Sequence, residues 1–289
     1  MVAPVNPAVR RIPVRGIELA VREWPGGGTP FLLVHGLASN ARTWDHVAEY
    51  LNERGHRVVS VDQRGHGLSD KPDEGYGFDE VTADLNELIQ QLGMDRPVLA
   101  GQSWGGNVVL DYGSRWPDSV RGLVLVDGGF IDLASDPEAT WEQISIDLKP
   151  PHLIGTPRDR MLERMRGFHA DWPEETLEMA MANFETMEDG TIRPWLTLDR
   201  HMQIVRALWD QRPSELYPLV PVPTMVAVAD AGMNQRRHER KVSEIAALEA
   251  SLPVSRVRWF HETHHDIHME RPADLAQWMI DGLEDGFFA

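Results

Sequence analysis

At 289 residues the chain is long enough for one α/β domain carrying an insertion, or for two small domains. Its net charge of −17, beside a hydrophobic content of 42%, describes a core-forming chain and a poor partner for nucleic acid or an anionic membrane surface. The absence of cysteine excludes disulfides, thiolate metal sites and a cysteine nucleophile. Met1 to Arg11 has no apolar core of signal-peptide length, and no apolar run approaches a membrane span, so a cytoplasmic enzyme is expected. Lysine occurs only at Lys71, Lys149 and Lys241.

Ile12 to Glu23 alternates apolar and polar residues around Gly16, which predicts an antiparallel hairpin. Phe31-Leu32-Leu33-Val34 is a short, wholly apolar strand of the kind found inside a parallel sheet, and it runs into His35-Gly36-Leu37. Thr43 to Arg54 places Trp44, Val47, Ala48 and Leu51 on one face of a helix. The strand Val58 to Val61 leads into a loop in which Asp62, Arg64 and His66 read as a structural polar cluster with an ion pair. A helix over Val81 to Leu92 precedes the most informative stretch of the chain.

That stretch is Pro97 to Leu110. An apolar run ends in Gly101-Gln102-Ser103-Trp104-Gly105, and apolar residues at helical spacing follow. Strand, sharp turn and helix are implied, with Ser103 in a strained backbone conformation that requires small neighbours on either side. The turn would lift the Ser103 hydroxyl out of the sheet, with a helix N-terminus behind it to favour negative charge.

The chain resembles the serine hydrolases of the α/β-hydrolase superfamily over nearly its whole length, with the Ser103 turn as the nucleophile elbow. The resemblance implies a mostly parallel central sheet flanked by helices, with a helical cap inserted into it. It also implies an oxyanion hole from the backbone N–H groups of Leu37 and Trp104, each contributing roughly 3 kcal/mol to a tetrahedral oxyanion. No organic cofactor or metal is expected. The histidines lack zinc-protease spacing, since His261-Glu262-Thr263-His264 is one residue short of H-E-x-x-H.

Gly122 to Val126 is another buried strand, with Asp127 at its end. From Ile131 to Tyr217 the strand pattern stops and helical spacing takes over, in Ala139 to Leu148, Arg158 to Phe168, Glu174 to Met187 and Leu198 to Trp209. This segment, 131–217, matches the superfamily's cap, leaving 1–130 and 218–289 as the core domain. Its Met and Trp residues read mainly as cap core, with a minority facing the pocket. Arg200 and His201 read as solvated or structural. The sheet resumes at Pro223 to Ala229 and ends with Val257 to Phe260, before a closing helix from Pro272 to Leu283.

The resemblance assigns the catalytic base to His265, after the last strand, with His264 and His268 as less suited neighbours. For the acid two alternatives stand. Asp230 follows the strand after the cap, the usual place, but sits about two residues early. Asp127 ends the strand before the cap, where haloalkane dehalogenases and certain lipases carry theirs. Both keep the order Ser, Asp, His. A serine at 103, not aspartate, argues against dehalogenase and epoxide-hydrolase chemistry. The expected activity is hydrolysis of small-molecule carboxylic esters through an acyl-enzyme on Ser103. Lactonase, C–C bond hydrolase or perhydrolase chemistry, or a non-catalytic small-molecule receptor, could run on the same parts. The expected partner is a small-molecule acyl substrate, with the protein as monomer or homodimer.

Overall fold

The computed structural model describes residues 6–289, so the first five residues of the Met1–Arg11 stretch lie outside it. The described chain begins with an antiparallel hairpin, β1 (Ala8–Val14) and β2 (Ile17–Trp24), turned at Arg15 and Gly16, both at positive φ (47° and 84°). There follow β3 (Gly28–Val34), α1 (Asp45–Glu53), β4 (His56–Val61), α2 (Phe78–Gln91), β5 (Val98–Gln102), α3 (Trp104–Arg115) and β6 (Gly122–Val126). Before the sheet resumes come α4 (Trp141–Asp147), β7 (Thr156–Pro157), α5 (Arg158–Phe168), α6 (Glu174–Met181), β8 (Phe184–Thr186), β9 (Thr191–Pro194), α7 (Leu198–Asp210) and α8 (Pro213–Leu216). The chain ends with β10 (Thr224–Ala229), α9 (Gln235–Ser251), β11 (Ser255–Phe260), α10 (Ile267–Glu270) and α11 (Pro272–Glu284).

Eight strands form one sheet in the order β1-β2-β4-β3-β5-β6-β10-β11. β2 is antiparallel to both β1 and β4, and every other neighbouring pair is parallel. The inner strands are apolar throughout because both sheet faces are covered. Phe31, Leu33, Val98, Ala100, Val124 and Val126 pack with Val47 of α1 and with Leu275 and Met279 of α11. The intervening Leu32, Val34, Leu99, Leu123 and Leu125 pack with α2, α3 and α9 through Leu88, Val108 and Leu248. Phe288, near the C-terminus, is buried in the first of these cores.

The segment between β6 and β10 departs from the all-helical expectation. β7, β9 and β8 form a small antiparallel sheet, and the helix expected over Glu174 to Met187 ends at Met181. Its last residues become β8, which turns through Gly190 (φ 80°) into β9. Leu162, Leu177, Met181 and Ile192 form a separate small core here. The loop cluster also differs in its partners. Arg64 pairs with Asp84 of α2 (2.6 and 2.8 Å), whereas Asp62 accepts from the backbone N–H groups of Ala41 (2.7 Å) and Leu68 (2.9 Å). Arg200 bonds Asp73, and His201 donates to Leu148 O, so both hold loops in place.

The parallel strands all point the same way. The loops after β3, β5, β6, β10 and β11 therefore emerge at one edge, where open α/β sheets bind ligands. They carry Leu37, Ser103, Asp127, Asp230 and His265 respectively.

Candidate active site

Ser103 lies between β5 and α3 at φ 55°, ψ −124°, a conformation that costs a non-glycine residue about 1–3 kcal/mol. The surrounding contacts enforce it. Ser103 N donates to Val126 O (3.0 Å), and Ser103 O accepts from Gly106 N (2.9 Å). Strand and helix approach so closely that a Cβ on Gly101 would stand 2.1 Å from Gly105 O. Gly101→Ala should therefore cost about 3 kcal/mol or more, since the clash is with backbone and cannot be relieved by a rotamer change. Denaturant melts of the variant check this, and an unchanged midpoint would contradict the packing argument.

The loop after β3 approaches from the neighbouring strand. A Cβ on Gly36 would lie 3.1 Å from Ser103 Cβ, which sets Leu37 beside the serine. Neither Leu37 N nor Trp104 N, the first N–H of α3, donates a hydrogen bond among the described residues. Ala38 is held at φ 58° and donates its N–H to His66 Nε2 (3.2 Å), while His66 Nδ1 donates to Arg64 O (3.0 Å). Burial pushes the pKa of His66 well below its ordinary value, so Nε2 stays free to accept. Its ring stacks on Trp104, with centroids 5.6 Å apart. His66 thus ties the loop after β3 to the start of α3, a role its motif alone did not disclose.

His265 Nδ1 donates to Asp127 Oδ2 at 2.6 Å. The aspartate is aimed by its own backbone, at φ 43°, and it is almost fully buried. Its second oxygen, Oδ1, accepts from Ala229 N (3.0 Å) and from Lys241 Nζ (2.6 Å). Burial alone would raise the Asp127 pKa, but His265 and Lys241 outweigh it and hold the carboxyl below its usual range. Burial likewise opposes a charge on His265, yet the hydrogen bond and charge of Asp127 prevail and raise its pKa. Asp127 rather than Asp230 is therefore joined to His265. Asp230 is occupied elsewhere, accepting from Glu262 N (2.8 Å) and bonding His261 Nδ1 (2.5 Å).

His264 lies 3.2 Å from Glu270, and His268 is buried against Trp44 with its pKa pushed down to about 3. Neither reaches Asp127. Two supporting residues were not singled out from the sequence. Lys241 reaches Asp127 from α9, and Asn107 of α3 accepts from Gly129 N (2.9 Å) and donates to Ile131 O (2.9 Å), fixing the loop after Asp127. Lysine scarcity was the only signal for Lys241, and nothing local marked Asn107.

Lys241→Met should cost about 2 kcal/mol of stability, because a buried carboxylate loses a charged hydrogen-bond donor. It should also raise the pKa of His265, whose charge Lys241 opposes. Chemical denaturation and NMR titration of the ring read the two effects, and a downward shift would contradict this geometry.

Ser103 and His265 line the same cavity, of about 240 Å³, together with Leu37, Gln102 and Asp266. Met165, His169 and Trp172 close it from the segment between β6 and β10. A second cavity of about 480 Å³ is lined by apolar residues, among them Leu153, Ile154, Trp195 and Leu196. Ala38, Ser39 and Asn183 border both cavities. No group of three or more residues among those described is placed to hold a metal ion.

A family model described as alpha/beta hydrolase fold matches residues 29–215. The chain belongs to the α/β-hydrolase family. This α/β hydrolase is 27% identical to the N-formylmaleamate deformylase of Pseudomonas putida, over 96% of its own length and 92% of that protein's. A higher identity, 37%, to the 2-(acetamidomethylene)succinate hydrolase of Mesorhizobium japonicum is confined to 118 residues, 41% of this chain and 42% of the relative. Among solved structures, an E-2-(acetamidomethylene)succinate hydrolase aligns at a TM-score of 0.75 and 24% identity, covering 96% of this chain and 99% of that one. An esterase from Exiguobacterium antarcticum aligns at 0.72 and 20% identity, covering 95% and 98%. These structural likenesses establish a common fold. No described helix of the α/β hydrolase is long and apolar enough to cross a membrane.

Proposed function

We propose that this α/β hydrolase cleaves small-molecule carboxylic esters through an acyl-enzyme on Ser103, with His265 as base and Asp127 as the orienting acid. The observation that carries the reading is the 2.6 Å hydrogen bond from His265 Nδ1 to Asp127, on an imidazole that shares a cavity with a strained serine. With its proton on Nδ1, the ring presents an unprotonated Nε2 to the cavity. The Ser103 hydroxyl attacks the ester carbonyl as Nε2 takes its proton, and the Leu37 and Trp104 N–H groups receive the developing oxyanion. His265 then protonates the leaving alcohol. Water enters, gives a proton to the same nitrogen and releases the acid, restoring the serine. The segment 131–217 acts as a cap, and the larger apolar cavity beneath it accommodates the acyl chain.

A second reading is hydrolysis of an N-acyl bond on the same residues, favoured by the names of the two relatives, a deformylase and an acetamido-compound hydrolase. Those names describe carboxylate-bearing compounds, whereas no arginine or lysine lines the cavity at Ser103.

The test is turnover of a p-nitrophenyl ester series together with fluorophosphonate labelling of Ser103. Multiple turnover with labelling is expected. Stoichiometric binding without turnover would instead favour a receptor, and failure to label would overturn the nucleophile assignment.

A further inference from the structure

The cavity beside Ser103 contains one carboxyl group that the hydrolytic chemistry does not use. Asp266 directly follows His265 and lines the same space. Its nearest hydrogen-bonding group is the amide of Gln102, at a long 3.4 Å, and no cationic side chain pairs with it among the described residues. Burial raises its pKa; the neighbouring His265 and His169 pull it down, Glu270 and Asp127 push it up, and the net direction is upward, so the carboxyl is only partly compensated by its surroundings. The wall facing it is soft and aromatic. Met165, Met269 and Trp172 line the cavity, and the His169 ring stacks on Trp172 with centroids 3.8 Å apart. His169 makes no hydrogen bond to Asp266.

A carboxylate without an ion pair, a tryptophan whose one face is stacked by His169 and whose other face is left for a ligand, and two thioethers, with no arginine or lysine, form a set of groups suited to a cation. The placement also says which part of the substrate the cation occupies. His265 must protonate the departing oxygen, so the leaving group lies on the His265 side of the cavity, and Asp266 lines that cavity with its Oδ1 3.4 Å from the Gln102 amide, which also reaches His265 O (3.3 Å). We propose that the leaving group of the substrate carries an organic ammonium, held by Asp266 and Trp172.

The inference rests on the hydrolytic reading for its location but can fail separately. Acetylcholine and 3,3-dimethylbutyl acetate have the same shape and acyl group and differ by one positive charge. In the wild-type enzyme kcat/KM should favour the ammonium ester by at least about tenfold, the order expected for a desolvated cation–π contact plus an ion pair. Asp266→Asn should bring the ratio near one, Asp266→Glu should restore part of it, and Trp172→Leu should lower it. Circular dichroism confirms that each variant is folded.

Efficient turnover of the neutral ester with no preference for the ammonium ester would overturn the proposal and leave the hydrolytic reading standing. An unchanged ratio in folded Asp266→Asn would do the same. If neither ester is hydrolysed and Ser103 resists labelling, the hydrolytic reading fails. Calorimetric titration then still decides the cation site. Choline should bind more tightly than 3,3-dimethylbutanol to the wild type and lose that advantage in Asp266→Asn, and equal binding of the two would end the proposal.

Discussion

Replacing Ser103 by alanine is expected to lower ester turnover on the order of 10⁶-fold and to abolish fluorophosphonate labelling. The effect is so large because in the proposed mechanism the serine and the imidazole act as one unit. Without the hydroxyl, His265 has no nucleophile to deprotonate, and only the oxyanion N–H groups and binding remain, a residual of about 10³–10⁴ over water. The fold should be untouched. The Ser103 side chain makes no hydrogen bond among the described residues, and the strained φ of 55° is imposed by the backbone bonds to Val126 and Gly106. Circular dichroism and the denaturation midpoint should match the wild type. Retained multiple turnover by a folded Ser103→Ala variant would move the chemistry off this residue altogether.

The contrast between this residue and the acid shows what a sequence makes legible. The elbow is a local device. A strand, two glycines that allow Gly101 to sit against Gly105, and a following helix all fall within the span Pro97 to Leu110, so the geometry is written in consecutive residues. The alternating packing of Phe31, Leu32, Leu33 and Val34 is legible for the same reason. The acid is not local. Asp127 and Asp230 both end sheet strands, on the neighbours β6 and β10, and their loops start from the same edge. What separates them is the path of the loop after β11, which brings His261 and Glu262 N to Asp230 and carries His265 onward to Asp127. No spacing rule encodes that path.

Lys241 was hidden for a similar reason. It lies in a charged, mostly exposed helix, and its role appears only where that helix crosses the end of β10. In the segment 131–217 the helices were legible from their spacing, but β8 and β9 are only three and four residues long, too short for an alternating pattern to register.

Asp127→Asn, set against Asp230→Asn, separates the two carboxylates by function. An amide at 127 keeps the volume but removes the charge. It can also donate to Nδ1, which would favour the tautomer whose Nε2 bears the proton and faces the serine unable to accept. The expected loss in kcat is on the order of 10⁴-fold at neutral pH. Asp230→Asn should change kcat by little, because Asp230 serves His261 and the Glu262 N–H, joining the loop after β10 to the loop after β11.

The pH profile gives an independent sign. In the proposed mechanism His265 must be neutral to act as base, so activity should fall as pH drops through its pKa. Burial lowers that pKa, Asp127 raises it by more, and the net shift is upward from 6.5. The acid limb of kcat/KM in the wild type should therefore lie above the ordinary histidine value. In Asp127→Asn the depressing effect of burial is unopposed by that charge, and the limb should move to lower pH even as the rate collapses. A limb that stays in place in Asp127→Asn but shifts down in Asp230→Asn would assign the orienting role to Asp230, and would require the β11 loop to rearrange so that His265 leaves a partner now 2.6 Å away.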